Sequence, residues 1–237
     1  NTNAGADTAD VFVPIAAVYG WVALVKASCQ NQVAWNALRE LLDDERAPIR
    51  MSVQDAFVRM CGQAEQADRL LGQALHWLDE EADDPQFGMV AIISEVFAQK
   101  ATLARVTDKA ALRTFLSRAL AAIANAPRSA TRWDSYRRLQ TALPRGIAAC
   151  VASAGSTSPL AQTTLAWLKN ECSHARGEPE RDLLSQALTQ LRAPSHGQAA
   201  GSIAALGAVL AAGTKPPRDP TRVRPSHGRG KRSRGIR

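Results

Sequence analysis

Two aliphatic positions three residues apart recur four times along the chain, and each pair is followed by a break and a second amphipathic segment. Leu38 and Leu41 align with Leu75 and Leu78, Leu120 and Ile123, and Leu165 and Leu168, at separations of 37, 45 and 45 residues. The following segments run from Ile49 to Met60, Gln86 to Gln99, Ser129 to Leu143 and Glu180 to Leu191. The breaks before them hold Asp43, Asp44, Glu45 and Pro48, then Asp83, Asp84 and Pro85, then Pro127, then Gly177, Glu178 and Pro179. Proline near a helix start lacks only a donor that would be unpaired there, and it brings a preset φ. Acidic side chains suit the positive end of the helix that follows. The breaks are therefore expected to be turns between helices. One hairpin cannot cover its own apolar stripe, whereas stacked hairpins bury a continuous core.

The 46% apolar content is enough for a substantial core. Ala and Leu dominate over β-branched residues and aromatics make up only 5%, which favours helix because Ala and Leu lose little rotamer freedom there. No alternating strand of useful length is present. Within this all-α pattern, Leu38-Arg39-Glu40-Leu41-Leu42-Asp43-Asp44-Glu45-Arg46-Ala47-Pro48-Ile49-Arg50, followed by Ala56-Phe57, resembles a HEAT repeat. In that family a Leu-rich A helix leads through an Asp-containing turn into a B helix that opens with Pro and an aliphatic-Arg pair. The likeness is fullest in the first unit. Pro85 keeps the turn in the second unit, where the Arg is lost, and the third and fourth keep only the apolar spacing.

The resemblance spans roughly Val33 to Leu191 and implies a right-handed α-α superhelix of about four to five stacked hairpins; an irregular helical bundle is the alternative. On this reading residues 1–32 supply capping helices, 33–192 the repeats, and 193–214 a C-terminal helix. Residues 215–237 form a basic tail, expected to be disordered because Val223 and Ile236 are its only aliphatic residues.

Charge is unevenly laid out. Nine of the 29 basic residues and one of the 22 acidic ones fall in 215–237, leaving 20 basic against 21 acidic in residues 1–214. The high isoelectric point thus describes the tail, with Arg222, Arg224, Arg229, Lys231, Arg232 and Arg234 as its main cations, and not the body. Within the body the early turns are acidic. The third unit holds Arg128, Arg132, Arg137, Arg138 and Arg145 against Asp134 alone. Helical spacing through Arg132-Trp133-Asp134-Ser135-Tyr136-Arg137-Arg138 would set Arg132 near Tyr136 and Trp133 near Arg137, mixing guanidinium with aromatic faces that could grip phosphate or an acidic peptide. The plainer reading packs Trp133 and Tyr136 into the core beneath a solvated arginine face. Trp77 and Trp167 occupy matching repeat positions and are expected to pack in the core or at its edge.

Catalytic signals are sparse. His76, His174, His196 and His227 are scattered, no metal-ligand spacing, nucleophile elbow or phosphate-loop fingerprint occurs, and neither a cofactor nor a metal is expected. The helical-repeat resemblance extends to DNA alkylation repair glycosylases, whose concave Trp, Asp and Arg residues Trp133, Asp134, Arg137 and Arg138 could imitate. Their adjacency on one helix and the near-neutral body argue against it, since a flipped base and its duplex need a broad cationic surface. The expected role is a non-enzymatic scaffold that binds a protein or peptide partner, with the tail as an electrostatic tether to nucleic acid, anionic lipid or an acidic protein. Direct nucleic-acid binding through the Arg128–Arg145 patch and the tail is the alternative.

Cys29, Cys61, Cys150 and Cys172 lie far apart, so buried reduced thiols and a reducing compartment such as the cytoplasm are expected. The uncharged runs Val11–Val25 and Ala199–Ala212 fall short of the roughly 20 residues a membrane span needs, so no transmembrane segment is expected. No charged leader with a cleavage site opens the sequence. It begins at Asn1, which is expected of a processed chain or a fragment.

Overall fold

The computed structural model describes residues 11–28, 31–80, 87–127, 129–130, 133–155, 158–175, 177–192 and 200–212. Among them the regular structure is entirely helical: α1 Phe12–Ala27, α2 Gln32–Leu42, α3 Ala47–Met60, α4 Ala64–Glu80, α5 Phe87–Ala98, α6 Lys100–Leu103, α7 Lys109–Ala124, α8 Asp134–Ser153, α9 Pro159–His174, α10 Glu178–Leu191 and α11 Ala200–Ala212. The all-α expectation holds, and no described helix is long and apolar enough to cross a membrane. The tail from Lys215 to Arg237, together with Arg128, Arg132, Pro85, Cys29, His196 and His227, lies outside the described residues.

Local chemistry sets the helix starts. Asn31 Oδ1 accepts from Ala34 N at 3.1 Å ahead of α2, Asp108 Oδ1 from Ala111 N at 2.8 Å ahead of α7, and Ser158 Oγ from Ala161 N at 3.0 Å ahead of α9. Each satisfies a donor that the first turn leaves without a partner. Pro48, Pro159 and Pro179 stand in the first two positions of their helices, where a missing N–H removes nothing. Before α7, Asp68 on α4 reaches across to accept from Thr107 N at 2.9 Å and from the Thr107 hydroxyl, tying the loop to an earlier helix.

Packing follows chain order in two successions. Helices α3, α5, α8 and α10 touch one after another, as do α4, α7 and α9. At the ends, α1 packs on α2 and α3, and α11 packs on α9 and α10. Trp35 of α2 meets Trp77 of α4 edge-on, with ring centroids 5.8 Å apart. Polar links join α2 to α4 and the neighbours of the second succession to one another: Arg39 to Glu80 at 2.8 Å, Asp79 to Arg118, and Ser117 to Glu171 at 2.7 Å. Asp79 and Glu80 at the end of α4 thus find partners on helices roughly forty residues away in sequence, Arg118 after them and Arg39 before them.

Helix α5 is the centre of the molecule, buried without interruption from Phe87 to Ser94. Its main partner is α8. A Cβ on Gly146 of α8 would lie 3.4 Å from Ser94 O and 3.4 Å from Leu116 Cδ2, so the absence of a side chain there lets the two helices close up.

Several expectations need correction. The segment expected to end at Leu143 instead continues as α8 through Pro144 to Ser153, because the buried face of Leu139, Leu143, Ile147 and Val151 is worth more than the one backbone bond that proline removes. Trp133 is not helical. It stands at the N-cap of α8 with extended φ and ψ, so the expected pairing of Trp133 with Arg137 on one helical face does not form, and its ring lies 6.0 Å from Phe87 instead. The aligned leucines also differ in burial: Leu38, Leu120, Ile123 and Leu168 are buried, whereas Leu41, Leu75, Leu78 and Leu165 are half-buried. In α4 the core positions are Leu70, Leu71, Ala74 and Trp77, which shifts the stripe one residue from the alignment. As expected, Trp77 is in the core, while Trp167 sits at its edge and donates its indole N–H to Ser117 Oγ at 2.8 Å.

The thiols of Cys61, Cys150 and Cys172 are buried and unbridged. Burial raises them well above the ordinary thiol range, to about 12 for Cys61 and about 11 for Cys150 and Cys172. A thiolate is the reactive form. At neutral pH these three cysteines are therefore expected to resist alkylation in the native protein and to react once it is unfolded in denaturant, a difference that peptide mass mapping reads residue by residue. Fast native labelling of any of the three would show that its helix opens readily.

Candidate functional site

The first interhelix turn and the start of α8 meet over the start of α5. In the turn, the Asp44 carboxylate accepts from Arg46 N at 2.8 Å, Arg46 Nε at 3.0 Å and the Arg46 terminal nitrogen at 2.8 Å. The guanidinium of Arg50, one turn into α3, donates to the Asp44 and Glu45 carbonyls at 2.5 and 2.7 Å. These bonds fix the turn and hold Arg50 in one direction. Arg50 thus ties down two carbonyls of the turn itself, which follow the C-cap Asp43 of α2.

From there Arg50 lies 3.7 Å from Asp134 Oδ2 at the start of α8, and Arg138 pairs with Asp134 at 3.1 Å and with Asp43 at 3.4 Å. Gly88 explains why Asp43 can sit there. A Cβ at Gly88 would fall 2.0 Å from Asp43 Oδ1, so only glycine at this start of α5 leaves room for the carboxylate. Burial, with Arg50 close by, depresses the affinity of the Arg138 guanidinium for its proton; Asp134 and Asp43 act in the opposite direction.

Along α3, α5 and α8 the surface then sinks into a groove of about 530 Å³. Its floor is built from the small and aliphatic Ala91, Ile92 and Ala142, all buried. Its walls carry Arg50 and Met51 on α3 and Arg137, Arg138, Thr141 and Arg145 on α8, with Glu95 of α5 between them. Met51 is 68% exposed. Arg145 pairs with Glu95 at 2.9 Å. Arg137 is exposed and makes no ion pair among the described residues. The groove's volume falls within the range of small-ligand clefts, while its lining is more highly charged.

Of the site residues expected from the sequence, Arg137, Arg138 and Arg145 come together here. Tyr136 does not join them: its ring is buried edge-on against Phe87 at 5.2 Å, and burial raises its phenol above the usual range. Trp133 is 42% exposed at the N-cap of α8 and does not line the groove. Sequence reasoning misses Arg50, Met51, Gln54 and Glu95 as site residues. They come from two other hairpins, and only the Ile49-Arg50 pair carries a local signal. His76 and His174 lie outside the groove, on α4 and α9.

The Asp44 network has a pH signature. The hydrogen bond from the Arg46 side chain, set against partial burial, holds the Asp44 carboxyl below its ordinary value of 3.8. A carboxyl depressed on folding adds stability that is fully present above the unfolded value and is lost as pH falls through the folded one. Asp44→Asn is therefore expected to be less stable than the unsubstituted chain by about 1 kcal/mol at neutral pH, with the gap closing between about pH 5 and pH 2 in denaturant titrations. A gap that stays constant over that range would show that the turn depends on shape and not on the charge.

No family model, curated protein or solved structure matches this chain.

Proposed function

We propose that the chain is a non-enzymatic, HEAT-like helical-repeat scaffold that binds a protein or peptide partner in the groove of α3, α5 and α8. The groove itself carries this reading, since residues from three successive hairpins converge on one apolar-floored, arginine-walled cleft. The ordered contacts of α3, α5, α8 and α10 and of α4, α7 and α9 support the repeat reading. They match a stack in which each hairpin touches its neighbours. The charged side chains lining the cleft are four guanidiniums and Glu95, groups suited to holding a charged partner. Buried, unbridged thiols suit a reducing compartment such as the cytoplasm.

The tail, nine basic residues against one acidic, serves in this scheme as an electrostatic tether. Direct nucleic-acid binding is the rival reading, favoured by Arg137, which makes no ion pair among the described residues. Binding of duplex DNA and RNA across a salt series separates the two. We expect the steep salt-dependent affinity to vanish when Arg222, Arg224, Arg229, Lys231, Arg232 and Arg234 are all replaced by Gln. Affinity that survives in the tail variant and falls on Arg137→Ala and Arg145→Ala would move the assignment to nucleic acid.

A further inference from the structure

The chemistry of the groove narrows the partner. Four guanidiniums and one carboxylate line it, yet three of the guanidiniums are already oriented by groups behind them: Arg50 by turn carbonyls, Arg138 by Asp134 and Asp43, and Arg145 by Glu95. The held guanidiniums cost little further ordering, while Arg137, with no ion pair among the described residues, is the one most open to an added carboxylate. A nucleic-acid strand fits poorly. Its affinity comes from many phosphate contacts in a row, whereas the rim interleaves Asp134, Asp43 and Glu95 with the arginines, which leaves Arg137 alone without an ion pair among the described residues. A peptide supplies both signs, carboxylates for the arginines and backbone N–H groups for the rim acids.

Spacing gives the pattern. Arg137 and Arg145 are eight residues apart on α8, about 12 Å at 1.5 Å per residue. An extended peptide covers that distance in about four residues, and its positions i, i+2 and i+4 face the same way. The middle position then lies over Ala91, Ile92 and Ala142, beside exposed Met51.

We propose that the groove binds an extended acidic peptide in which two carboxylates four residues apart flank an apolar side chain. The inference rests on the reading of this face as a partner-binding surface. The outer carboxylates meet Arg137 and Arg145, the latter exchanging or sharing Glu95, and the apolar side chain covers the floor.

Random peptides displayed on phage and selected on the full chain, with counter-selection on the full chain carrying Thr141→Trp, test both levels. Thr141 and Arg137 are exposed and line the groove, so neither Thr141→Trp nor Arg137→Glu alters the core; equal melting temperatures confirm it. Groove-dependent binders are expected to carry the acid-x-apolar-x-acid pattern. A labelled Glu-x-Leu-x-Glu peptide should lose roughly ten- to a hundredfold in affinity when its acids become Gln or when Arg137 becomes Glu. Its Lys-x-Leu-x-Lys counterpart should bind Arg137→Glu better than the unsubstituted chain. Groove-dependent binders lacking paired acids would overturn the acidic class and leave the scaffold standing. No groove-dependent binder at all would overturn both. Displacement of the peptide by single-stranded RNA or duplex DNA that itself depends on Arg137 would overturn the peptide in favour of nucleic acid.

Discussion

Trp77→Ala is expected to destabilise the protein by about 3–5 kcal/mol, at the upper end of what a single core truncation costs. The indole is fully buried and packs edge-on against Trp35, so the substitution removes both its area and an apolar contact between α2 and α4, leaving the Arg39–Glu80 ion pair between them. For a chain of this size that corresponds to a fall in melting temperature of roughly 6–20 °C. The comparison with Trp77→Phe sharpens the test. Trp77 Nε1 is buried and finds no acceptor among the described residues. A buried donor without a partner costs about 1–3 kcal/mol, so Phe loses some packing and at the same time removes that penalty. Trp77→Phe is expected to lie much closer to the unsubstituted chain than to Trp77→Ala in denaturant unfolding. If Phe is as damaging as Ala, the indole N–H has a partner in solution and the α2–α4 contact is held by more than packing.

Pro144→Ala is expected to act in the opposite direction. Proline within a helix is about 3 kcal/mol less favourable than alanine, because it offers no N–H to the carbonyl four residues earlier, here Gln140, and crowds it. Pro144 is buried, and alanine forgoes two of its ring carbons, worth about 1.6 kcal/mol at about 0.8 kcal/mol each. The balance is a gain of roughly 1–1.5 kcal/mol, measurable as a higher denaturant midpoint at unchanged m-value. A loss of stability would mean that α8 must bend at Pro144 to follow α5. The same variant then also tests the groove, since Thr141, Ala142 and Arg145 stand on either side of the proline.

Much of the architecture is legible residue by residue. Helix periodicity, the Ala and Leu preference and the capping residues act over a few neighbouring positions, so the all-helical class and the order of helix, turn and helix can be read in sequence. Pro48 and Pro179 mark helix starts for a reason internal to the first turn. The same local logic fails at Pro144, where a penalty confined to one turn is outweighed by the face that α8 buries on α5. It fails again at Leu75 and Leu78, because which edge of an apolar stripe is covered depends on how neighbouring helices are set against it. The four-residue helix α6, too short to show a period, leaves no readable signal.

The groove divides in the same way. Arg137, Arg138 and Arg145 can be noticed as a basic cluster because they share one helix. Arg50, Met51 and Glu95 stand on α3 and α5, and only packing brings them to α8. Gly88 shows why. In sequence it is one glycine among fifteen; in the fold its missing side chain makes room for Asp43, which holds Arg138 at the mouth of the cleft. Sequence alone determined the helices, their polarity and the basic character of residues 215–237, because propensity, periodicity and charge belong to each segment by itself. The tertiary structure decided that Asp43 holds Arg138 and Glu95 holds Arg145, while Arg137 makes no ion pair among the described residues, because such relations between helices far apart in the chain exist only once they pack.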